Sequence, residues 1–227
     1  MKKMLIAFDG LDGSGKNTQT HLLTDYLEKN GIPYRYVTFP TYDDTYSFFV
    51  NKYLSGEFGE NPDDINGYAA SAFFAADRYL SFIMDWKKDY DEGKIIIANR
   101  YTTANAVHQC SKIPKENRDE YLEWLFDYEW KKLGLPAPDK VIYLCQPPEV
   151  SFALIQKRCD ETGAKKDIHE KDSEHLYKSY EAALYVSEKY GWDRIDVSDG
   201  TSLRTREDIH EEVIKKVSDL LNTKEQA

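Results

Sequence analysis

Residues 4–20 read MLIAFDGLDGSGKNTQT, and no other stretch limits the fold so tightly. The apolar run MLIAF has the length and continuity of a strand buried on both faces. Gly10, Gly13 and Gly15 follow it, and Lys16 opens the helical pattern KNTQTHLLTDYLEK. Such a loop lets backbone N–H groups converge on an anion at a helix N-terminus, while the lysine reaches the outer phosphates of a nucleotide. The residue after that lysine should carry the hydroxyl that holds a divalent cation, and here it is Asn17. An amide oxygen ligates such ions with a longer reach and different geometry. The hydroxyl of Thr18 comes one position late, about 100° further round the helix. Asp9 is placed to act as an outer-shell partner through water. A plain glycine turn is the alternative, but it requires the whole pattern to fall by chance at the first strand–helix junction.

Short apolar runs then alternate with longer helical patterns. Strands are expected at 4–8, 34–39, 94–98, 140–145 and 194–198. Helices are expected at 16–29, 64–91, 116–133, 149–160 and 172–190, four of them stopped by a glycine. A last helix starts at Thr205, where Thr205 and Asp208 suggest a capping box and Ile209, Val213, Val217 and Leu220 an apolar stripe. Strand alternating with helix predicts an α/β fold, a doubly wound five-stranded parallel sheet with helices on both faces. Nothing in the pattern reads as a linker or repeat, so residues 1–227 are expected to form a single domain. The charged stretch ETGAKKDIHEK at 161–171 is either a solvated loop or a mobile lid.

Composition narrows the partners. A net charge of −10 argues against nucleic acid and against an anionic membrane, which demand clustered positive surface. No apolar run approaches the length of a membrane span. The N-terminal MKKMLIAF lacks a cleavage site, and it reads as the first strand of a cytoplasmic protein. Cys110, Cys145 and Cys159 are odd in number and widely spaced, which suggests a reducing compartment and no zinc-type pair. His169 and His175 are expected to be solvated surface residues.

Three further stretches specify the site. FFAADRYLSF (73–82) sets Phe74 and Arg78 four residues apart on one helix face. IIIANRYTTANAVHQ (95–109) places Arg100 just past the end of a strand, where open α/β sheets bind ligands. GLPAPDKVIYLCQPPEVSFALIQKR (134–158) runs into a strand, a Pro-Pro turn and a helix. Taken in order, these motifs resemble those of the thymidylate kinases, nucleoside monophosphate kinases that phosphorylate dTMP. The matching elements are GLDGSGK, Phe39–Pro40, Phe74 to Arg78, Asn99–Arg100–Tyr101, Leu135 to Asp139 and Pro147 to Glu149, and they cover nearly the whole chain.

The resemblance implies that Gly10, Asp12, Gly13, Ser14, Gly15, Lys16, Asn17 and Thr18 bind ATP, with Mg2+ held by Asn17, Thr18 or Asp9, directly or through water. It implies that Phe74 stacks on the thymine ring, Arg78 bonds its carbonyl edge, Arg100 clamps the acceptor phosphate and Asp12 holds the deoxyribose hydroxyl. Phe39 and Pro40 belong to the same pocket. Asn105 and Gln109 fall at the base, Tyr101 and His108 beside the sugar. Phe74 has a second reading as core, since Phe73 adjoins it, and Arg78 one as an intrahelical ion-pair partner. The substrates are then ATP and a pyrimidine deoxynucleoside monophosphate, and a homodimer is implied.

The sequence departs from the family pattern at four places. Asn17 replaces the hydroxyl residue, Asn99 an aspartate, Tyr42 an arginine, and Ile168, in the lid's DIHE, another arginine. With no basic residue between Gly10 and Lys16, the catalytic cation must come from Arg158, Lys165 or Lys166. Three readings follow: a thymidylate kinase, a kinase with a shifted acceptor such as dUMP, and a nucleotide-binding regulatory protein with little turnover.

Overall fold

The computed structural model describes residues 3–42, 45–163, 165–198 and 202–225. Among them, five strands form one all-parallel sheet in the order β2-β3-β1-β4-β5. They are β1 (Met4–Gly10), β2 (Tyr34–Thr38), β3 (Ile95–Asn99), β4 (Lys140–Cys145) and β5 (Asp193–Asp196). The helices in chain order begin with α1 (Lys16–Lys29), α2 (Phe48–Leu54), α3 (Gly67–Ser81), α4 (Lys87–Asp91) and α5 (Thr102–His108). They continue with α6 (Arg118–Phe126), α7 (Pro148–Thr162), α8 (Ile168–Lys171), α9 (Ser173–Lys189) and α10 (Arg206–Glu225).

Every residue of β1 is buried, which accounts for the unalternating sequence. Met4, Ile6 and Phe8 pack against Leu23 and Leu27 of α1 and Val213 and Val217 of α10. Leu5 and Ala7 face the other way, onto a layer that includes Phe82, Trp86 and Tyr101. Ile209, Val213 and Val217 form the expected stripe on α10, but Leu221 rather than Leu220 is its fourth fully buried member. Thr205 Oγ1 accepts from the Asp208 N–H at 3.1 Å, so Thr205 makes its half of the expected cap.

Element boundaries differ from the sequence pattern where local chemistry intervenes. The helix expected from residue 64 begins at Gly67, because Asn66 caps it by accepting from the Ala69 N–H. A π-helical turn, Phe82–Trp86, joins α3 to α4, and another, Asp127–Lys132, extends α6. Helices α2, α5 and α8 are short and rich in β-branched, aromatic or charged residues, and periodicity did not show them. The stretch 161–171 is not all loop. Asp167 starts α8 with a reciprocal capping box to Glu170.

With β1 central and β3 and β4 on either side, the connection after β1 runs toward the β2 edge while the one after β3 crosses to β4 on the other side. The crevice outside the carboxyl ends of β1 and β3 is therefore the place for a ligand. Arg100 N–H donates to the Phe8 carbonyl at 2.8 Å, which ties the segment after β3 to the start of the phosphate loop.

Candidate active site

The loop after β1 has its glycines where the backbone demands them. At Gly10, φ is +154° and a Cβ would meet the Leu144 carbonyl at 2.7 Å; at Gly15, φ is +86° at the N-cap of α1. Lys16 folds back over the loop, and its ammonium donates to the carbonyls of Gly10 at 2.9 Å and Leu11 at 2.8 Å. Burial, then the nearby Arg100 charge, pushes the Lys16 ammonium down to about 7 against the pull of Asp12 and Asp9.

This has a measurable consequence. Phosphate oxygens of a nucleotide held beside Lys16 would favour its charged form and raise its pKa from about 7 toward the ordinary lysine value. Above pH 7 the free protein holds fewer protons at Lys16 than the complex, and binding takes one up. ATP affinity should fall by up to tenfold between about pH 7.5 and 8.5. Calorimetry in buffers of different ionisation enthalpy should show proton uptake approaching one per ATP, and Lys16→Ala should abolish it.

Around the loop, Asp9 is wholly buried and both its oxygens are committed, to Gly10 N–H at 3.0 Å and to the Thr103 hydroxyl at 2.7 Å. Burial raises its pKa, with Arg100 opposing. Asn17 fronts the cleft, whereas Thr18 and Ser14 do not line it; the Ser14 hydroxyl is buried without a hydrogen-bond partner among the described residues. The Tyr36 hydroxyl accepts from Asn99 Nδ2 at 3.2 Å and donates to Asn17 Oδ1 at 3.3 Å. It therefore bridges two of the residues that depart from the family pattern.

Arg100 occupies the left-handed region, φ +64°, a conformation that costs a non-glycine residue of order 1 kcal/mol or more. The surroundings hold it there. Its guanidinium donates to Asp12 and, at 3.0 Å, to His108 Nε2. Although burial alone would raise the Asp12 pKa, Arg100 and then Lys16 hold that carboxyl well below the usual range.

A second pocket adjoins this cleft. Its walls include Phe39, Pro40, Phe74, Arg78, Asn105, His108 and Gln109, with Arg158, Asp167, His169 and Glu170 closing one side. The Phe39–Pro40 peptide is cis. Asp77 fixes the following loop by accepting from Thr41 N–H, the Thr41 hydroxyl and the Ser47 hydroxyl. Phe74 lines the pocket, and its neighbour Phe73 turns to an outer aromatic cluster with Phe49 and Phe58. Arg78 is no intrahelical partner. It makes a fully buried two-pronged pair with Glu129 from the π-helical turn after α6, Nε to Oε2 at 2.8 Å. Glu129 also accepts from the Thr102 hydroxyl at 2.6 Å and Asn105 Nδ2 at 3.1 Å. Glu129 sits on the buried face with Leu122, Leu125 and Phe126, and an acid in that apolar stripe was the signal that could have found it.

Several expectations need correction. Tyr101 does not wall the pocket: it is fully buried beneath the sheet, packed on Phe39 and Trp86, with its hydroxyl on the Pro136 carbonyl at 2.9 Å. Lys165 and Lys166 line neither cavity, whereas Arg158 borders both, and its Nη2 alone donates to both Glu170 carboxylate oxygens at 2.8 Å. Ile168, which stands where the family carries an arginine, is an apolar anchor buried against Val50, Tyr53 and Leu54. His169 and His175 are buried, not solvated. They stack with His108, and His169 Nε2 meets the Tyr53 hydroxyl at 2.8 Å. Burial keeps His108 and His169 well below the usual histidine range and pushes His175 down to about 3.

A phosphate loop at the centre of a parallel sheet, opening into an arginine-bearing pocket flanked by α8, defines a P-loop phosphotransferase of the nucleotide kinase class. The sequence profile of the thymidylate kinase family matches residues 8–222, and the chain belongs to that family. It is 28% identical over 217 residues to the thymidylate kinase of Plasmodium falciparum, covering 96% of this chain and 90% of that one. It is 28% identical over 175 residues to that of Mycobacterium tuberculosis H37Rv, covering 75% and 79%. With the probable thymidylate kinase of Methanobrevibacter smithii it shares 31% over 202 residues, 88% of each.

Proposed function

We propose that this protein transfers the γ-phosphoryl group of ATP to dTMP, giving dTDP, and does so as a single domain. One observation carries the reading: the phosphate-loop cleft and the aromatic pocket share Asp12, Phe39, Tyr42, Arg100 and Arg158 in their walls. Donor and acceptor phosphates placed in the two cavities therefore meet between two guanidinium groups. No general base is needed, because the acceptor phosphate, with a second pKa of about 6, is already ionised at neutral pH. The work left to the protein is alignment and charge neutralisation.

In this reading Lys16 leaves the Gly10 and Leu11 carbonyls for the ATP phosphates. Arg100 takes the acceptor phosphate, and Asp12, released from it, takes the sugar hydroxyl. Phe74 stacks on thymine. Arg78, positioned by Glu129 through Nε and Nη2, turns Nη1 to the base edge. Gln109 Oε1, a buried acceptor without a partner among the described residues, faces the same pocket.

The donor set suits Mg2+. Asn99 Oδ1 is a buried oxygen with no hydrogen-bond partner among the described residues, and Asn17 borders the same cleft. These two amide oxygens would hold the ion with its waters, Asp9 standing behind, and the ion would supply charge neutralisation on the phosphoryl oxygens. Thr18 lies off that cleft and drops out as a direct ligand.

Arg158 supplies the catalytic cation after leaving Glu170. Arg158→Ala should lower kcat by about 10³-fold or more with little change in KM for dTMP. Arg158→Lys should recover only a small part of the loss, since an ammonium cannot grip phosphoryl oxygens in two prongs. Lys165→Ala and Lys166→Ala should stay within a few-fold of wild type, and steady-state kinetics of the four variants would test this assignment.

Leu80, Ile83 and Met84 are exposed along one side of the α3–π-turn run, which supports a homodimer. No described helix is long and apolar enough to cross a membrane, and the reading places the enzyme in the cytoplasm. An ADP-release assay with ATP, Mg2+ and dTMP, dUMP, UMP, dCMP or dGMP tests the acceptor. The expected result is fastest turnover with dTMP. Faster turnover with dUMP would overturn the assignment, the thymine methyl being worth about 1–3 kcal/mol.

A further inference from the structure

His108, His169 and His175 come from three different elements, α5, α8 and α9, yet each offers a ring nitrogen within 4.8 Å of those of the other two. All three are buried, at 5%, 6% and 3% exposure. Phosphoryl transfer as derived above uses none of their nitrogens. Their hydrogen bonding is also incomplete: His108 Nδ1 is buried with no partner among the described residues. The two His175 nitrogens reach only the Ser111 and Ser179 hydroxyls, each at 3.5 Å. Buried ring nitrogens so poorly paired destabilise a fold, unless another group binds among them.

We propose that His108, His169 and His175 form a binding site for a borderline transition-metal ion such as Zn2+, which staples the lid to the wall of the acceptor pocket. Three imidazoles suit zinc and its neighbours and discriminate against Mg2+, which prefers oxygen. Tetrahedral zinc with bonds of 2.0–2.1 Å sets its nitrogen ligands about 3.3 Å apart, so the rings must close by roughly an ångström. Outer partners are already in place. The Tyr53 hydroxyl holds His169 Nε2, which leaves Nδ1 for the ion in the usual arrangement. Asp172 accepts from the His175 backbone N–H at 3.0 Å, and Asp167 and Glu170 flank His169. Lys112, whose ammonium lies on the Tyr53 hydroxyl at 2.6 Å, has Asp63 as its opposing charge.

The site bears on the phosphotransferase. Arg100 can only donate, so in the metal-free protein His108 Nε2 carries the lone pair and Nδ1 the proton. Metal at either nitrogen is incompatible with that bond, so loading frees Arg100 while fixing His169 of the lid against His108. A lid held in this way cannot open for product release, and turnover should fall.

The test uses the untagged full chain carrying Cys159→Ser, which removes the half-buried thiol, titrated with Co2+ and followed by its visible d–d absorption. The expected result is one Co2+ per chain, displaced by Zn2+ and not by excess Mg2+. Affinity should drop at least tenfold in His175→Gln and, independently, in His169→Gln, each shown to be folded by circular dichroism. Absence of binding up to about 1 mM metal, or equal affinity in both variants and the parent, would overturn the site. This readout needs no turnover, so it stands or fails apart from the acceptor assignment. Under saturating Mg2+, Zn2+ should slow ADP release by the parent several-fold and leave His175→Gln unaffected; equal inhibition of both would overturn the staple.

Discussion

Lys16→Ala lowers kcat/KM for ATP by about 10³-fold while leaving the protein as stable as the parent, or slightly more stable. The two halves of this expectation have different origins. Removing a preorganised cation from the phosphates of a transition state with spread charge costs about 10²–10³ for a single donor, and more where the group is charged. In the free protein, by contrast, the same ammonium is held out of water by its own loop, bonded to the Gly10 and Leu11 carbonyls. Burial pushes its pKa down, a sign that the folded state penalises the charge it stores there. Steady-state kinetics and thermal melts on one preparation check both halves. A large fall in melting temperature would mean that the lysine is structural.

Glu129→Ala has the opposite signature. It leaves the Arg78 guanidinium buried at 1% exposure with no counterion, and it strips a partner from the Thr102 hydroxyl and Asn105 Nδ2. Breaking one side of a buried ion pair costs about 3–5 kcal/mol. For a chain of this size that is a fall in melting temperature of roughly 10 °C. Replacing both partners, Arg78→Met with Glu129→Leu, should return most of the stability, because apolar residues of similar volume satisfy the site without desolvated charge. That double variant should still bind dTMP poorly, with KM raised at least tenfold, since nothing then meets the base edge. Calorimetry separates the two effects. Recovery of dTMP affinity in the double variant would remove Arg78 from the base-recognition role.

The sheet, the phosphate loop and Arg100 were legible from sequence because each rests on local pattern. Continuous burial of β1 suppresses alternation, glycines recur where φ is positive, and an arginine past a strand end has few structural uses. The partners of those residues were not legible. Glu129 pairs with Arg78 across 51 positions, through a π-helical turn that breaks the 3.6-residue period. Tyr53 and Lys112 meet the histidines only after α2 and α5 have folded, and both helices are too short to declare themselves by periodicity. Burial along 161–171 goes deeper than its charged pattern suggests. The charged surroundings of DIHE suggested solvent, yet Ile168 anchors the segment in an apolar cluster and brings His169 inward with it. Tyr101, assigned by motif to the sugar, sits one residue after Arg100 on a backbone that turns at φ +64°, and it points into the core.

The exchange of a lid arginine for Ile168 then has a coherent physical account. The segment is docked by apolar burial of Ile168, and in the proposed mechanism Arg158, at the junction of the two cavities, carries the catalytic charge. The most direct measurement of the whole account is 31P NMR of the purified chain with ATP, Mg2+ and dTMP. Appearance of dTDP and ADP in equal amounts, with no inorganic phosphate, is the predicted result. ATP consumed to inorganic phosphate without dTDP, or no consumption at all, would contradict it.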